Sequence, residues 1–330
     1  MHIPDGFLNA PTAITCGLLS VAGVGVALDS ASRCLPTRKV PLLGLSAAFV
    51  FAAQMLNFPV AAGTSGHLIG GVLCAVLLGP GAAVTAMSAV LILQCFFFAD
   101  GGVTALGANL FNMALMAPIV GYGVYRGVLR IFGNDLRAHL VGTAFGSWCS
   151  TVAAAIACAG ELSSSGIVPW NVVFPAMGFV HVLIGCGEAV ITTLVVAVVM
   201  RARPELLPDR DAKASEKREW AMTGYGMILA MGLVLFVSPF ACRWPDGLEK
   251  IATDLGFEHQ AAIALVFPAP IPDYAVAGVT SPAWATMLAG VIGLVMAFTL
   301  AFLLGSALTR NRWGTEAGFP PGADSAPISR

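Results

Sequence analysis

The first two residues of this chain, Met1 and His2, form a chelator on their own. The terminal amine of Met1, the backbone nitrogen of His2 and the imidazole of His2 can close two fused rings around one metal ion, with three nitrogens in one plane. A planar nitrogen set suits Ni(II) and Cu(II) better than Zn(II), which prefers tetrahedral ligands. We expect Met1 to be retained because the bulky His2 hinders its removal. We expect no secretory signal because the first 32 residues contain no Lys or Arg.

A fourth nitrogen is expected from His67. It follows a Gly-Thr-Ser-Gly run at 63–66, and glycines let backbones approach closely. This loop is predicted at the outer end of the third membrane span, on the same side as Met1, so the amino-terminal segment could reach it. The alternative is a histidine that is hydrogen-bonded at the membrane interface. We predict that His139 and His259 take no part in the site.

Polar side chains at predicted membrane depth are candidates for supporting these ligands. His181 and Glu188 are seven residues apart, which places them on one face of a helix. An intramembrane charge costs roughly 2.5 kcal/mol or more unless it is paired, so Glu188 should point into the bundle toward a donor. Asn109 and Asn112, at i and i+3, could hold a folded-in amino terminus by its backbone. Structural contacts between helices are the alternative for all four residues.

The composition is that of an integral membrane protein. Of 330 residues, 57% are hydrophobic and 11% are charged, whereas a soluble protein carries about 25% charged residues. The net charge of -1 argues against a nucleic acid as partner. Since a helix needs about 20 apolar residues to cross a bilayer, the sequence predicts an all-α polytopic protein. The nine candidate spans are approximately 10–29, 41–58, 64–80, 82–98, 104–128, 139–160, 174–200, 220–240 and 284–308.

The basic residues predict the orientation of the bundle. With the amino terminus outside, 15 of the 17 Lys and Arg residues fall on the cytoplasmic side, and only Arg243 and Lys250 remain outside. The positive-inside rule therefore favours an outside amino terminus and a cytoplasmic carboxyl terminus. Met1 and His2 would then face the side from which a scarce nutrient arrives.

Charge and proline divide the chain into four parts. We predict a seven-helix bundle over 1–200, a cytoplasmic linker over 201–219, a two-span hairpin over 220–310 and a disordered tail over 311–330. A strip of small residues on the first span is a candidate docking face for a partner. It consists of Gly23, Ala27 and Ala31.

The outer loop of the predicted hairpin is acidic. Its carboxylates could raise the local concentration of cations or act as a gate, although a merely solvated loop is the favoured interpretation. These residues are Asp246, Glu249, Asp254, Glu258 and Asp273.

Several motifs together resemble the CbiM/NikM family, the substrate-specific components of energy-coupling-factor transporters for cobalt and nickel. The resemblance covers about residues 1–200 and is most specific at the opening Met-His-Ile-Pro-Asp-Gly-Phe-Leu and at His67. It also includes the run Leu-Gly-Ala-Asn-Leu-Phe-Asn-Met at 106–113 and the pattern His181, Gly185, Glu188. It implies a metal bound by the Met1 amine, the His2 backbone nitrogen, the His2 imidazole and His67.

The carboxyl-terminal part resembles the PDGLE domain, a two-span accessory piece similar in role to the small NikN/CbiN subunits. The motifs are Pro-Asp-Gly-Leu-Glu at 245–249 and Pro-Ile-Pro-Asp-Tyr at 270–274. The resemblance implies a transmembrane coupling subunit and cytoplasmic ATPase subunits as partners, in the inner membrane of the cell. The chain itself contains no GxxxxGK[ST] motif, so the ATPase activity must belong to a partner.

The sequence thus predicts the substrate-capture component of an ATP-driven importer of Ni2+ or Co2+, with no permanent cofactor. The ion is the cargo, and the choice between nickel and cobalt is open. Two alternatives belong to other classes. One is a membrane metal-dependent hydrolase that uses His67, His181 and Glu188 around an activated water. The other is a passive or gradient-driven carrier of divalent metals.

Overall fold

Helices make up almost all of the described structure. The computed structural model describes residues 1–61, 63–203, 216–261 and 266–310. Its helices are α1 (Ala10–Cys34), α2 (Val40–Gln54), α3 (Gly71–Leu78), α4 (Pro80–Leu93), α5 (Leu106–Asn109), α6 (Ala117–Phe132), α7 (Leu136–Ser164), α8 (Trp170–Ala202), α9 (Glu216–Gly232), α10 (Gly247–Asp254) and α11 (Pro282–Arg310). Within those ranges the strands are two short segments, β1 (Phe58–Pro59) and β2 (Ser65–Gly66), paired antiparallel.

Six segments of the described residues are long and apolar enough to cross a membrane. They are Ala10–Cys34, Pro80–Phe98, Leu136–Ser164, Trp170–Ala202, Glu219–Phe240 and Pro282–Arg310. The predicted all-α polytopic class is confirmed. The other described α-helices are shorter than a full span: α2 has 15 residues, α3 has 8, α5 has 4, α6 has 16 and α10 has 8. A π-helical stretch, Leu110–Met116, joins α5 to α6.

The third predicted span, 64–80, is wrong as a continuous helix. Its first part contains β2 and a loop, and only Gly71–Leu78 is helical. Gly70 has a φ of 80°, the left-handed conformation that glycine adopts readily, and this conformation precedes the helix. Non-helical backbone at membrane depth is tolerated where protein groups satisfy its N–H donors. Here the carboxylate of Glu188 does so.

The small-residue strip on α1 packs inside the chain. Ala27 is 7% exposed and Ala31 is 2% exposed. A Cβ added at Gly23 would lie 2.6 Å from Leu115, and one at Gly81 of α4 would lie 3.0 Å from the carbonyl of Ala27. The prediction of a partner-docking strip is therefore wrong, because the chain's own helices occupy this face.

The hairpin packs along α2. Its helices α9 and α11 both contact α2, and a Cβ at Gly293 of α11 would lie 2.0 Å from the ring of Phe51. Only glycine permits this approach. At the two ends of the predicted linker, 201–219, α8 continues to Ala202 and α9 begins at Glu216. Residues 204–215 and the predicted tail, 311–330, lie outside the described residues.

Candidate metal centre

The first seven residues, here called the amino-terminal plug, bury every second side chain among the helices. Met1, Ile3 and Phe7 are at most 4% exposed. The backbone N–H of Ile3 donates to Oδ1 of Asn109 at 2.8 Å, and Nδ2 of Asn109 donates back to the carbonyl of Ile3 at 3.1 Å. The N–H of Gly102 donates to the same carbonyl at 2.8 Å. The plug is therefore bound by its backbone, in the way proposed for Asn109.

A second anchor of the plug is Asp5. Its Oδ1 accepts hydrogen bonds from the backbone N–H of Thr104 at 2.7 Å and from the Thr104 hydroxyl at 2.6 Å. Together with the Ile3 bonds, this contact connects the plug to the segment just before α5. The chain's first atoms are thus given a fixed position between the helices.

The plug brings the terminal amine to His67. The Met1 nitrogen lies 2.9 Å from Nε2 of His67. The rings of His2 and His67 are stacked, with centroids 5.3 Å apart and planes inclined by 14°. Nδ1 of His67 lies 3.2 Å from the carbonyl of Leu68. A proton on Nδ1 donated to that carbonyl leaves the Nε2 lone pair facing the amine.

The loop that carries His67 is held from two helices. Glu188 of α8 is fully buried and accepts hydrogen bonds from the backbone N–H groups of Ile69 at 2.6 Å and Gly70 at 3.0 Å. Gln54, at the end of α2, donates from Nε2 to the carbonyl of Ile69 at 2.9 Å. Both side chains orient the backbone next to a candidate ligand, which is the usual task of the groups behind metal ligands.

Two carboxylates that sequence reasoning did not place at the site contact the candidate nitrogens. Asp246 of the hairpin forms an ion pair with the terminal amine through Oδ2. Asp100, after α4, lies 2.9 Å from Nδ1 of His2 through Oδ1. Burial raises the pKa of Asp246, but the terminal ammonium and His67 outweigh it and hold that pKa below its usual range. His2 and the hydroxyl of Tyr274 lower the pKa of Asp100 in the same way, against the effect of burial.

The Pro-Asp-Gly-Leu-Glu motif builds the capped start of α10 around this contact. Oδ1 of Asp246 accepts from the N–H groups of Leu248 at 2.8 Å and Glu249 at 3.0 Å, and Glu249 accepts from the N–H of Asp246 at 3.0 Å. This is a capping box, which leaves Oδ2 of Asp246 for the amine. A Cβ at Gly247 would lie 2.8 Å from His181, so only glycine lets the motif approach α8.

The hairpin's other motif also reaches the site. The hydroxyl of Tyr274 donates to Oδ2 of Asp100 at 2.5 Å, and Gln94 donates to that hydroxyl at 3.1 Å. The Tyr274 ring stacks on Phe98 with a centroid distance of 4.8 Å. Tyr274 thus fixes the carboxylate that contacts His2. No pattern in the sequence links Asp100 to Tyr274 or to His2.

His181 lies beside the candidate nitrogens but does not join them. Its Nδ1 lies 2.8 Å from the carbonyl of Met177, and its buried Nε2 has no hydrogen-bond partner among the described residues. This ring lines a cavity of about 10 Å3 together with Met1, His67 and Asp246. That volume is close to what a single water needs.

The remaining candidates lie away from the plug. Asn112 donates to Glu161 at 2.7 Å, so the prediction that it holds the amino terminus is wrong, because a buried carboxylate takes its amide. His139 is buried against the hydroxyl of Tyr125 at 2.6 Å. His259 lies in an exposed turn of the hairpin.

Side chains alone do not form a metal site here. Among the described residues, no three His, Cys, Asp or Glu side chains converge in a way that could hold a metal ion. The carboxylate of Glu188 is occupied by the backbone N–H groups of Ile69 and Gly70, so it does not join His67 and His181 as a third ligand. A metal at this place would have to use main-chain nitrogen in addition to imidazole.

Comparisons with known proteins agree with this architecture. The model of the cobalt uptake substrate-specific transmembrane region, CbiM, matches residues 2–206. The chain belongs to the CbiM family. A PDGLE domain model matches residues 220–310.

Relatives of this CbiM family member include two fused proteins. A putative fused nickel transport protein NikMN of Archaeoglobus fulgidus is 36% identical over 92% of this chain and 98% of its own length. The fused nickel transport protein NikMN of Rhodobacter capsulatus is 33% identical over 90% of this chain and 94% of its own. A crystal structure of a truncated transition metal transporter is 38% identical, with a TM-score of 0.56, over 61% of this chain and 99% of that one.

These relationships decide the class of the protein. It is a multi-pass membrane component of nickel or cobalt transport, and a Ni or Co ion is its substrate. The relatives are named as transport proteins, so the chain is not an enzyme and the hydrolase alternative is wrong.

Proposed function

We propose that this chain captures Ni2+ or Co2+ for an ATP-driven energy-coupling-factor importer. The cargo would be bound by the Met1 amine, the His2 backbone nitrogen, the His2 imidazole and His67. The observation that carries this proposal is the 2.9 Å approach of the terminal amine to Nε2 of His67, inside the bundle. The buried side chain of Met1 and the stacking of the His2 ring on the His67 ring support this ligand set.

Binding of the metal ion would replace the present partners of two nitrogen atoms. The terminal amine now pairs with Asp246, and Nδ1 of His2 faces Asp100. Both nitrogens must release these carboxylates, and their protons, to bind a metal. Carboxylates that take the nitrogens back would assist release of the ion. Asn109 and Glu188 hold the backbone on either side and would not need to move.

The energy for transport would come from other subunits. No ATP-binding GxxxxGK[ST] motif occurs in the chain, so a transmembrane coupling subunit and cytoplasmic ATPase subunits are proposed as partners. The distribution of Lys and Arg supports an inner-membrane protein with an outside amino terminus and a cytoplasmic carboxyl terminus. Rocking of the bundle against the coupling subunit would expose the site to each side in turn.

Nickel is the proposed first choice of cargo. Four nitrogens in a plane suit Ni(II), which adopts square-planar geometry readily. Metal analysis of the purified chain, after growth with both ions, tests this choice. A cobalt-loaded protein with little nickel would reverse it.

The test of the chelate is a matched pair of chains that differ only before Met1. One carries two extra residues, Gly-Ser, in front of Met1, and the other is released by a protease so that it begins at Met1. We expect Ni2+ titration to show tight binding and a planar-nickel absorption band only for the chain with the free Met1 amine. Equal affinity in both forms would contradict the amine ligand. Uptake by the chain alone in proteoliposomes would contradict the need for ATPase partners.

A further inference from the structure

A second cavity lies between the hairpin loop and the outer end of the bundle, next to His2 and His67. Its volume is about 690 Å3. Gln54 and Asp100 belong to its bundle wall, and Glu258 belongs to its hairpin wall. We call this cavity the vestibule. Because exposed hairpin residues form part of its wall, it leads from the surface to the plug.

Two buried polar atoms along the vestibule have no hydrogen-bond partner among the described residues. They are Oε1 of Gln54 and Nε2 of His2. Gln54 is 3% exposed and the His2 side chain 7%. A buried polar atom without a partner is energetically unfavourable. The bond from Gln54 Nε2 to Ile69 leaves Oε1 as the acceptor, and a bound water or a cation is the kind of partner that it lacks.

The walls of the vestibule are strongly acidic. Three of the carboxylates already have partners. Asp246 pairs with the terminal amine, Asp100 contacts His2, and Glu249 belongs to the capping box. In the described structure Glu258 and Asp273 make no hydrogen bond to Met1, His2 or His67. Glu258 accepts from the Thr253 hydroxyl at 2.9 Å through Oε2 only. The vestibule's charged residues are Asp100, Asp246, Glu249, Glu258, Asp273 and Arg243. Five of these six residues are acidic. A cleft in which one sign of charge predominates attracts counterions, and full electrostatic focusing raises on-rates by about 10- to 1,000-fold.

We propose that the vestibule is a transient binding site for a hydrated divalent cation. Glu258, Asp273 and Oε1 of Gln54 bind the ion's water shell there before it reaches the nitrogens. The cavity is wide enough for an ion that keeps its waters, and carboxylate, carbonyl and water oxygens are the ligands of hydrated cations. The transfer to the nitrogens rests on the proposed function, whereas the oxygen site itself does not.

Mn2+ is the probe for the oxygen site, since it favours oxygen ligands. The full chain is loaded with Ni2+ to fill the nitrogens, and the free Mn2+ signal is followed by electron paramagnetic resonance during titration. We expect weak Mn2+ binding to the wild type and at least about fivefold weaker binding to the double variant Glu258→Gln/Asp273→Asn. The matched control, Asp29→Asn/Asp254→Asn, removes two carboxylates that do not line the vestibule and should bind as the wild type does.

The rate of nickel capture tests the role of the vestibule in the pathway. Stopped-flow mixing of each chain with Ni2+ should show about fivefold slower association for Glu258→Gln/Asp273→Asn at low salt, with the difference vanishing near 0.5 M salt. The dissociation rate and the planar-nickel band should match the wild type, which also shows that the variant is folded.

The outcomes separate the two proposals. Equal Mn2+ affinity in wild type and double variant, or no Mn2+ binding to the wild type, overturns the vestibule site. Weaker Mn2+ binding without slower nickel association overturns its place in the pathway. A wild type that never develops the planar-nickel band overturns the nitrogen chelate instead, while its Mn2+ titration still reports on the vestibule.

Discussion

The amino-terminal plug and the hairpin loop meet at Met1, yet they are held there in different ways. The bundle binds the plug mainly by its backbone at Ile3, through Asn109 and Gly102, and Thr104 donates to the side chain of Asp5. The hairpin backbone is also joined to the bundle, since the N–H of Ser65 donates to the carbonyl of Pro245 at 2.9 Å. The hairpin's contacts with the candidate nitrogens, however, are made by side chains: Asp246 directly, and Tyr274 by way of Asp100.

The difference assigns separate tasks to the two regions. The hydrogen bonds at Ile3 and Asp5 give the nitrogens a fixed position, which a four-coordinate site requires. Side-chain ion pairs on a loop can be exchanged without moving that backbone. We infer that the bundle builds the site, and that the hairpin covers it and supplies oxygen ligands outside it. The predictions that follow test this division, beginning with the largest effect.

Lowering the pH should weaken metal binding at the nitrogen site far more than at the oxygen site. Each nitrogen must lose its proton to bind metal, so affinity falls by roughly tenfold per pH unit for every proton released. Between pH 8 and pH 5, Ni2+ affinity should therefore drop by at least about a thousandfold. Mn2+ binding in the vestibule should change far less between pH 8 and pH 6, since a hydrated ion bound by oxygen displaces no proton from a nitrogen. Calorimetric titration checks both, and parallel pH curves would contradict the division.

Removing the imidazole nearest the amine should have the next largest effect. His67→Ala deletes a proposed ligand, and changes to groups that merely support ligands already cost 10- to 100-fold. We expect at least about a hundredfold loss of Ni2+ affinity and no planar band. His259→Ala, in the exposed turn of the hairpin, is the matched control and should bind normally. A wild-type titration curve for His67→Ala would remove that residue from the site.

Glu188→Gln should show that the bundle positions the ligand loop. The amide keeps one acceptor but turns a donor toward the N–H groups of Ile69 and Gly70, so one of them loses its partner. We expect about tenfold weaker Ni2+ binding and a free energy of unfolding lower by about 1–3 kcal/mol. Glu161→Gln changes a buried carboxylate that bonds Asn112 instead, and its nickel affinity should match the wild type. Equal losses in both variants would indicate a general stability effect.

Asp246→Asn should have the smallest effect on affinity. Asparagine still caps α10, and a bound metal replaces the ion pair in any case. We expect Ni2+ affinity within about threefold of the wild type, but about fivefold faster acylation of the Met1 amine in the metal-free chain, because the amine has lost its partner. An affinity loss larger than about threefold in Asp246→Asn would make the hairpin part of the site's scaffold.

Asn109→Ala is the comparison on the bundle side. It should weaken Ni2+ affinity about tenfold, since it frees the backbone of Ile3.

The sequence predicted the parts of the site that short-range chemistry defines. Met1 and His2 are linked covalently, so their chelate rings follow from the order of residues alone. His67 was selected because it follows a glycine-containing loop at the predicted outer end of a span, and Asn109 because it is polar at predicted membrane depth. The polytopic helical class followed from hydropathy in the same way.

What depends on tertiary packing was missed. Asp246 was recognised within a motif and as part of an acidic loop, but its ion pair with the amine spans 245 positions of sequence. Asn112 shares its helical region with Asn109, yet Glu161 of α7 takes its amide. The third span appeared continuous because hydropathy does not register a left-handed glycine or a carboxylate on another helix that binds the loop's N–H groups.

That carboxylate has a consequence for how the protein is made. The N–H groups of Ile69 and Gly70 lie in a buried loop, and their acceptor, Glu188, is synthesised more than a hundred residues later. Ribosomes add residues from the amino terminus onward, so the His67 loop emerges without the group that shapes it. The site can mature only after α8 has entered the membrane, and the hairpin that closes it is produced later still.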